Sequence, residues 1–111
     1  MGLVDGKERR SNPRFEPQER LEGQLFLQNT ESVTVVIMNV SQDGLMLEVQ
    51  EEIELEGRLK LEFLEIEMLI SVVWCEKIDE SESTYHCGCR VLEGPEPQEF
   101  LEAYGIDLEH I

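Results

Sequence analysis

The sequence predicts an all-β domain: a six-stranded antiparallel β-barrel with one short C-terminal α-helix. Three observations predict it. Apolar and polar residues alternate in short segments between residues 20 and 92, turn-forming residues interrupt those segments roughly every 8 to 12 positions, and helical apolar spacing begins only after Gly94. Without helical crossovers the strands must pair antiparallel, and closing the sheet removes the exposed edges that would otherwise recruit other chains. The 111 residues (12.8 kDa) fit one domain, which at this size buries roughly 65% of its unfolded-chain surface.

Residues 1–18 carry Gly2, Gly6, Pro13 and Pro17 and few large apolar groups, which describes a flexible arm leading into a barrel domain over residues 19–111. Residues 20–28 (RLEGQLFLQ) and 32–41 (SVTVVIMNVS) are rich in aliphatic and β-branched side chains; a short NTE turn joins them into a strand pair. A third strand, 45–49 (LMLEV), follows Asp43-Gly44, a dipeptide suited to the positive φ angles of a tight hairpin. In residues 58–77, Leu59, Leu61 and Phe63 oppose Lys60 and Glu62, and Ile66, Met68, Ile70, Val72 and Trp74 share one face, so two strands meet near Leu64-Glu65. Residues 83–92 (STYHCGCRVL) make the sixth strand, antiparallel to its Trp74-bearing neighbour across IDESE. In GPEPQEFLEAYGIDL, proline at the start, acidic residues in the first turn, apolar Phe100, Leu101 and Tyr104, and Gly105 as a stop define a helix that covers one opening of the barrel.

Charge narrows the partners. The net charge is -16, yet the first 20 residues hold five of the nine basic residues against four acidic ones, leaving -17 on the remaining 91. Such an acidic body repels DNA, RNA and anionic membranes, which need many cationic contacts. A small anion is different: screening over about 8 Å hides distant carboxylates and lets nearby guanidiniums decide. No apolar run reaches the roughly 18 residues of a membrane span, and MGLVDGKERR lacks a secretory apolar core, so the expected location is cytoplasmic without membrane insertion. Gly6 stands where a myristoylation signal wants Ser or Thr.

Two motifs carry polar chemistry. Arg10 and Arg14 frame SNP, and Pro13 excludes a helical stripe, so the arginines sit on a loop. Guanidinium forks bind phosphate through paired hydrogen bonds and stack on bases, whereas an isolated RxxxR is more often a solubilising tail. In NVSQDG, residues 39–44, an amide, a hydroxyl and a close-packing glycine can serve a base edge or phosphate, or merely close a turn.

Taken together, R10-S-N-P-R14 and N39-V-S41-Q-D-G44, in that order along the chain, resemble the PilZ family of bacterial cyclic di-GMP receptors. An amino-terminal RxxxR loop, a six-stranded antiparallel barrel, a (D/N)xSxxG motif after the second strand and a capping helix characterise that family, and the likeness spans roughly residues 8 to 104. The resemblance implies that Arg10 and Arg14 clamp phosphates and guanine edges of cyclic di-GMP as the arm folds over the barrel. It implies that Asn39 and Ser41 contact guanine or phosphate and that Gly44 keeps their turn tight. Arg9, just before the motif, implies an intercalated pair of ligand molecules, or is simply solvated. The implied protein is a signalling adaptor without a cofactor that passes its state to an unidentified effector protein, as a monomer or a dimer. The alternative is a nucleotide-independent interaction module built on the same barrel.

The remaining chemistry is sparse. Cys75, Cys87 and Cys89 are odd in number; zinc held by them with His86 is disfavoured because His86 alternates away from its neighbours on a strand and no CxxC is present, so they read as small buried hydrophobes. Carboxylates in EVQEEIELEG read as solvated faces, no nucleophile and base stand out, and catalysis is not expected. Trp74 belongs to the core or barrel surface, or stacks on a guanine; Gly88 marks a barrel bend or close ligand approach.

Overall fold

The computed structural model describes residues 13–28, 31–55, 57–79 and 83–111. Six strands close into a ring: β2 (Glu22–Phe26), β3 (Ser32–Val40), β4 (Gly44–Val49), β5 (Leu59–Phe63), β6 (Ile66–Asp79) and β7 (Thr84–Glu93). Around the barrel the order is β2, β5, β6, β7, β4, β3 and back to β2, with every pairing antiparallel. The six expected strands are present, and β4 and β5 follow their apolar alternation: β5 buries Leu59, Leu61 and Phe63, and β4 buries Leu45, Leu47 and Val49. Those inward side chains join Leu25, Val35, Val40, Ile70 and Val72 in one core, each worth about 1.5–3 kcal/mol when fully withdrawn from water.

α1 (Pro97–Tyr104) places Pro97 at its first turn and ends at Gly105, whose φ of 97° is the left-handed C-cap that glycine adopts freely. Leu101 is fully buried in the barrel core, and the Phe100 ring meets Phe63 edge-on at 5.9 Å, so the helix seals one mouth. No described helix is long and apolar enough to cross a membrane.

Two further strands go beyond the sequence expectation. β1 (Phe15–Pro17) pairs with β8 (Leu108–His110), and Phe15 also pairs with Val40 of β3. Phe15–Pro17, expected within the arm of residues 1–18, form strand, while residues 1–12 of that arm lie outside the described residues. The reason is the C-terminal segment, which offers β1 a pairing edge and sets His110 against Phe15, ring centroids 5.0 Å apart.

Turn chemistry corrects another expectation. Asp43 and Gly44 do not adopt positive φ; the tight two-residue hairpin turn is Leu64-Glu65, with φ of 48° and 70°, linking β5 to β6 between the paired Phe63 and Ile66. Gly44 is small for a different reason: a Cβ there would lie 2.7 Å from the Cys89 carbonyl oxygen on β7.

Trp74 does not share the inward face of Val72. The β6–β7 register slips between Val72 and Trp74, so Val73 is an extra residue and Trp74 turns outward opposite Gly88. Beyond this bulge Cys75 lies opposite the buried Cys87.

Candidate functional site

Strand pairing assembles one outward strip across four strands. Asn39 of β3 pairs with Met46 of β4, Met46 with Gly88 of β7, and Gly88 with Trp74 of β6. A second bulge, between Ile37 and Asn39, brings Asn39 to this strip. The next row along the same face is Gly44, Arg90 and Ser71.

Arg14 joins the strip from β1's leading edge. Its Nη1 donates to Asn39 Oδ1 at 2.8 Å, a charge-assisted bond that lies across an otherwise buried amide, 8% exposed. Its backbone is fixed too, because the Ile111 N–H donates to the Arg14 carbonyl at 3.0 Å. The Asn39 amide nitrogen faces Met46 Sδ at 3.9 Å, a weak contact that a stronger acceptor can replace.

Ser41 and Gly44 form the turn beside Asn39. Ser41 N–H donates to the Gly44 carbonyl at 2.9 Å, and the hydroxyl approaches the same oxygen at 3.4 Å, long for a hydroxyl bond. The Ser41 carbonyl accepts from Gln98 N–H at 3.3 Å, which ties the turn to the first turn of α1. Ser41 is 2% exposed, so in this state it shapes the turn rather than facing solvent.

Trp74 supplies an aromatic surface. Its indole lies over Gly88, where a Cβ would overlap the ring nitrogen, and the residue stays 42% exposed. Glycine at position 88 is thus the seat of the indole. Arg90, exposed on the same face as Gly88, makes no ion pair among the described residues. Beyond the strip, His86 Nε2 and Glu48 Oε2 approach to 3.3 Å, so His86 points outward and away from the three cysteines.

Of the residues singled out in sequence, Arg14, Asn39, Ser41 and Gly44 converge here, while Arg9 and Arg10 lie outside the described residues. Sequence reasoning misses Met46 and Arg90. Alternation places Arg90 on the face of Gly88, but only the β4–β7 register, which seats it opposite Gly44, brings it beside the second motif. The strip offers guanidinium donors, an amide and a π face side by side, a set suited to a planar, phosphate-bearing ligand.

The PilZ domain family matches residues 8–104 of the chain. Among solved structures, the chain is similar to the PilZ domain with c-di-GMP of YcgR from Escherichia coli, at a TM-score of 0.59 and 12% identity, covering 86% of this chain and 97% of that one. At that identity the likeness is one of fold. No curated protein matches the chain significantly.

Proposed function

The chain belongs to the PilZ domain family, and on that premise we propose that it is a receptor for cyclic di-GMP that binds the nucleotide on the strip from Arg14 to Trp74. The carrying observation is the 2.8 Å bond between Arg14 and Asn39, which joins the second arginine of RxxxR to the NxSxxG motif. The similar Escherichia coli domain, whose structure is of a complex with c-di-GMP, supports the same ligand class here.

Each residue has a role in this reading. Arg14, with Arg10 and Arg9 preceding it, binds phosphate oxygens and guanine edges through paired hydrogen bonds. Asn39 offers its amide to a guanine edge, and Met46 Sδ, its present weak partner, gives way to the ligand. Ser41 and Gly44 hold the turn that presents Asn39; the long 3.4 Å hydroxyl contact lets Ser41 turn to a phosphate at little cost. The Trp74 face stacks a guanine, and Arg90 adds a second cation beside it. Arg9 favours an intercalated ligand pair. Ordering of the arm over the ligand changes the surface that an effector protein meets, so binding and signalling are one event.

Thermal melting with cyclic di-GMP tests the proposal. A ligand at 100 times its Kd stabilises by about 2.7 kcal/mol, a shift of several degrees for a domain of this size. A melting curve unchanged at millimolar nucleotide would overturn the receptor reading and leave the nucleotide-independent interaction module. Calorimetry separates one bound nucleotide per chain from two.

A further inference from the structure

Cys75 and Cys87 stand directly opposite each other on β6 and β7, and their sulfurs are 3.1 Å apart with the Cys87 thiol donating. Facing residues of an antiparallel pair have Cα atoms about 4.5 to 5.5 Å apart, inside the window of roughly 4.4 to 6.8 Å that a disulfide requires. The sulfurs need to close by only about 1 Å to reach bonding distance. Cys89 has no such partner: it faces Val72, and its thiol points to the Cys87 carbonyl at 3.8 Å. All three are free thiols in this structure.

The pair is asymmetric in access. Cys75 is half-buried on β6, just past the Val73 bulge, whereas Cys87 is 1% exposed. Burial, and then the neighbouring Cys75 thiol, push the Cys87 thiol well above its usual range, so Cys87 does not open an exchange with an outside oxidant.

We propose that Cys75 and Cys87 are a redox modification site that forms a reversible intrachain disulfide by exchange with a low-molecular-weight disulfide. The Cys75 thiolate attacks one sulfur of glutathione disulfide and releases one glutathione thiolate, which takes up a proton. Cys87, deprotonated as it attacks, displaces the second glutathione from Cys75 and forms the Cys75–Cys87 bond. Two protein thiols are oxidised and one glutathione disulfide is reduced to two thiols, so electrons and atoms balance. The second step is intramolecular between groups already in contact, which favours the internal bond over a lasting mixed disulfide. Trp74 adjoins Cys75 and Gly88 adjoins Cys87, so the new bond would fix the β6–β7 register directly under the indole and its glycine seat.

The test incubates the full chain with excess glutathione disulfide, then counts free thiols under denaturing conditions and measures the intact mass. The expected result is a fall from three thiols per chain to one, with the mass of a monomer lighter by two hydrogen atoms, reversed by dithiothreitol. Cys89→Ala should leave the bond intact, and Cys75→Ser, a change at a half-buried position, should abolish it even if Cys87→Ala proves unstable. Retention of three thiols, a persistent glutathione adduct, a link between two chains, or a bond that survives Cys75→Ser would each overturn the proposal. None of these readouts involves cyclic di-GMP, so the outcome stands apart from the receptor reading.

Discussion

The Arg14 guanidinium and the Asn39 amide are hydrogen-bonded at 2.8 Å across 25 residues of sequence. The bond holds one cation at the strip. A charged hydrogen bond is worth about 1.5–3 kcal/mol, so Arg14→Ala should weaken the proposed binding by roughly ten- to a hundredfold. Asn39→Ala should weaken it too, and the double variant should show less than the sum, because the partners act together. Titration of the four proteins checks this; additive losses would mean that the two side chains act separately.

Gly88→Ala should disturb the aromatic surface. The new Cβ would overlap the Trp74 indole and force the partly exposed ring off its seat. Trp74 is the sole tryptophan, so its emission reports the displacement by shifting to longer wavelength. Denaturant unfolding monitored by the same emission gives the stability change.

Glu65→Gly should stabilise the barrel. Glu65 is exposed at φ 70°, a left-handed conformation that costs a side-chain-bearing residue about 1–2 kcal/mol. Glycine removes that cost and loses part of it through a freer unfolded chain, leaving a gain of about 0.5–1 kcal/mol. A higher denaturant midpoint with unchanged slope is the expected measurement. Leu64, at φ 48°, is the worse place for the change because its side chain packs on the core.

Stability should fall in alkali. Burial, and after it the charge of Cys75, pushes the Cys89 thiol up to about 12 from 9.0, and Cys87 shifts in the same direction. Above the unfolded value the unfolded chain has released protons that the folded chain still holds. The stabilisation is thus complete below pH 9 and declines between 9 and 12, by about 1.4 kcal/mol per pH unit for each thiol. Cys89→Ala should flatten the decline relative to the parent in melts taken over roughly two to three pH units that span the unfolded thiol value.

The barrel strands and the helix are legible in the sequence because each is long enough to show a period: β5 alternates buried and half-buried residues, and α1 lies between Pro97 and Gly105. β1 and β8 are not, since three residues carry no period and their pairing depends on two distant segments meeting. The orientation of Trp74 escapes alternation because a bulge is one inserted residue without a sequence signature, and it inverts the facing of the residues that follow, up to the next register shift between Lys77 and Asp79. Gly44 reads as a turn former, but its small size answers to the Cys89 carbonyl, a neighbour that only strand register reveals. Arg14 and Asn39 stand out by motif; their contact requires the β1–β3 pairing at Phe15 and Val40.

The β1–β8 ribbon has a practical consequence for any attachment to the chain. The strand immediately after Arg14 rests on Leu108–His110, and the Arg14 carbonyl is held by the Ile111 N–H. A reporter or purification tag fused after Ile111 would therefore tug on the guanidinium's own footing. Labels meant to report nucleotide without perturbing it belong on the far hairpin, at Glu65.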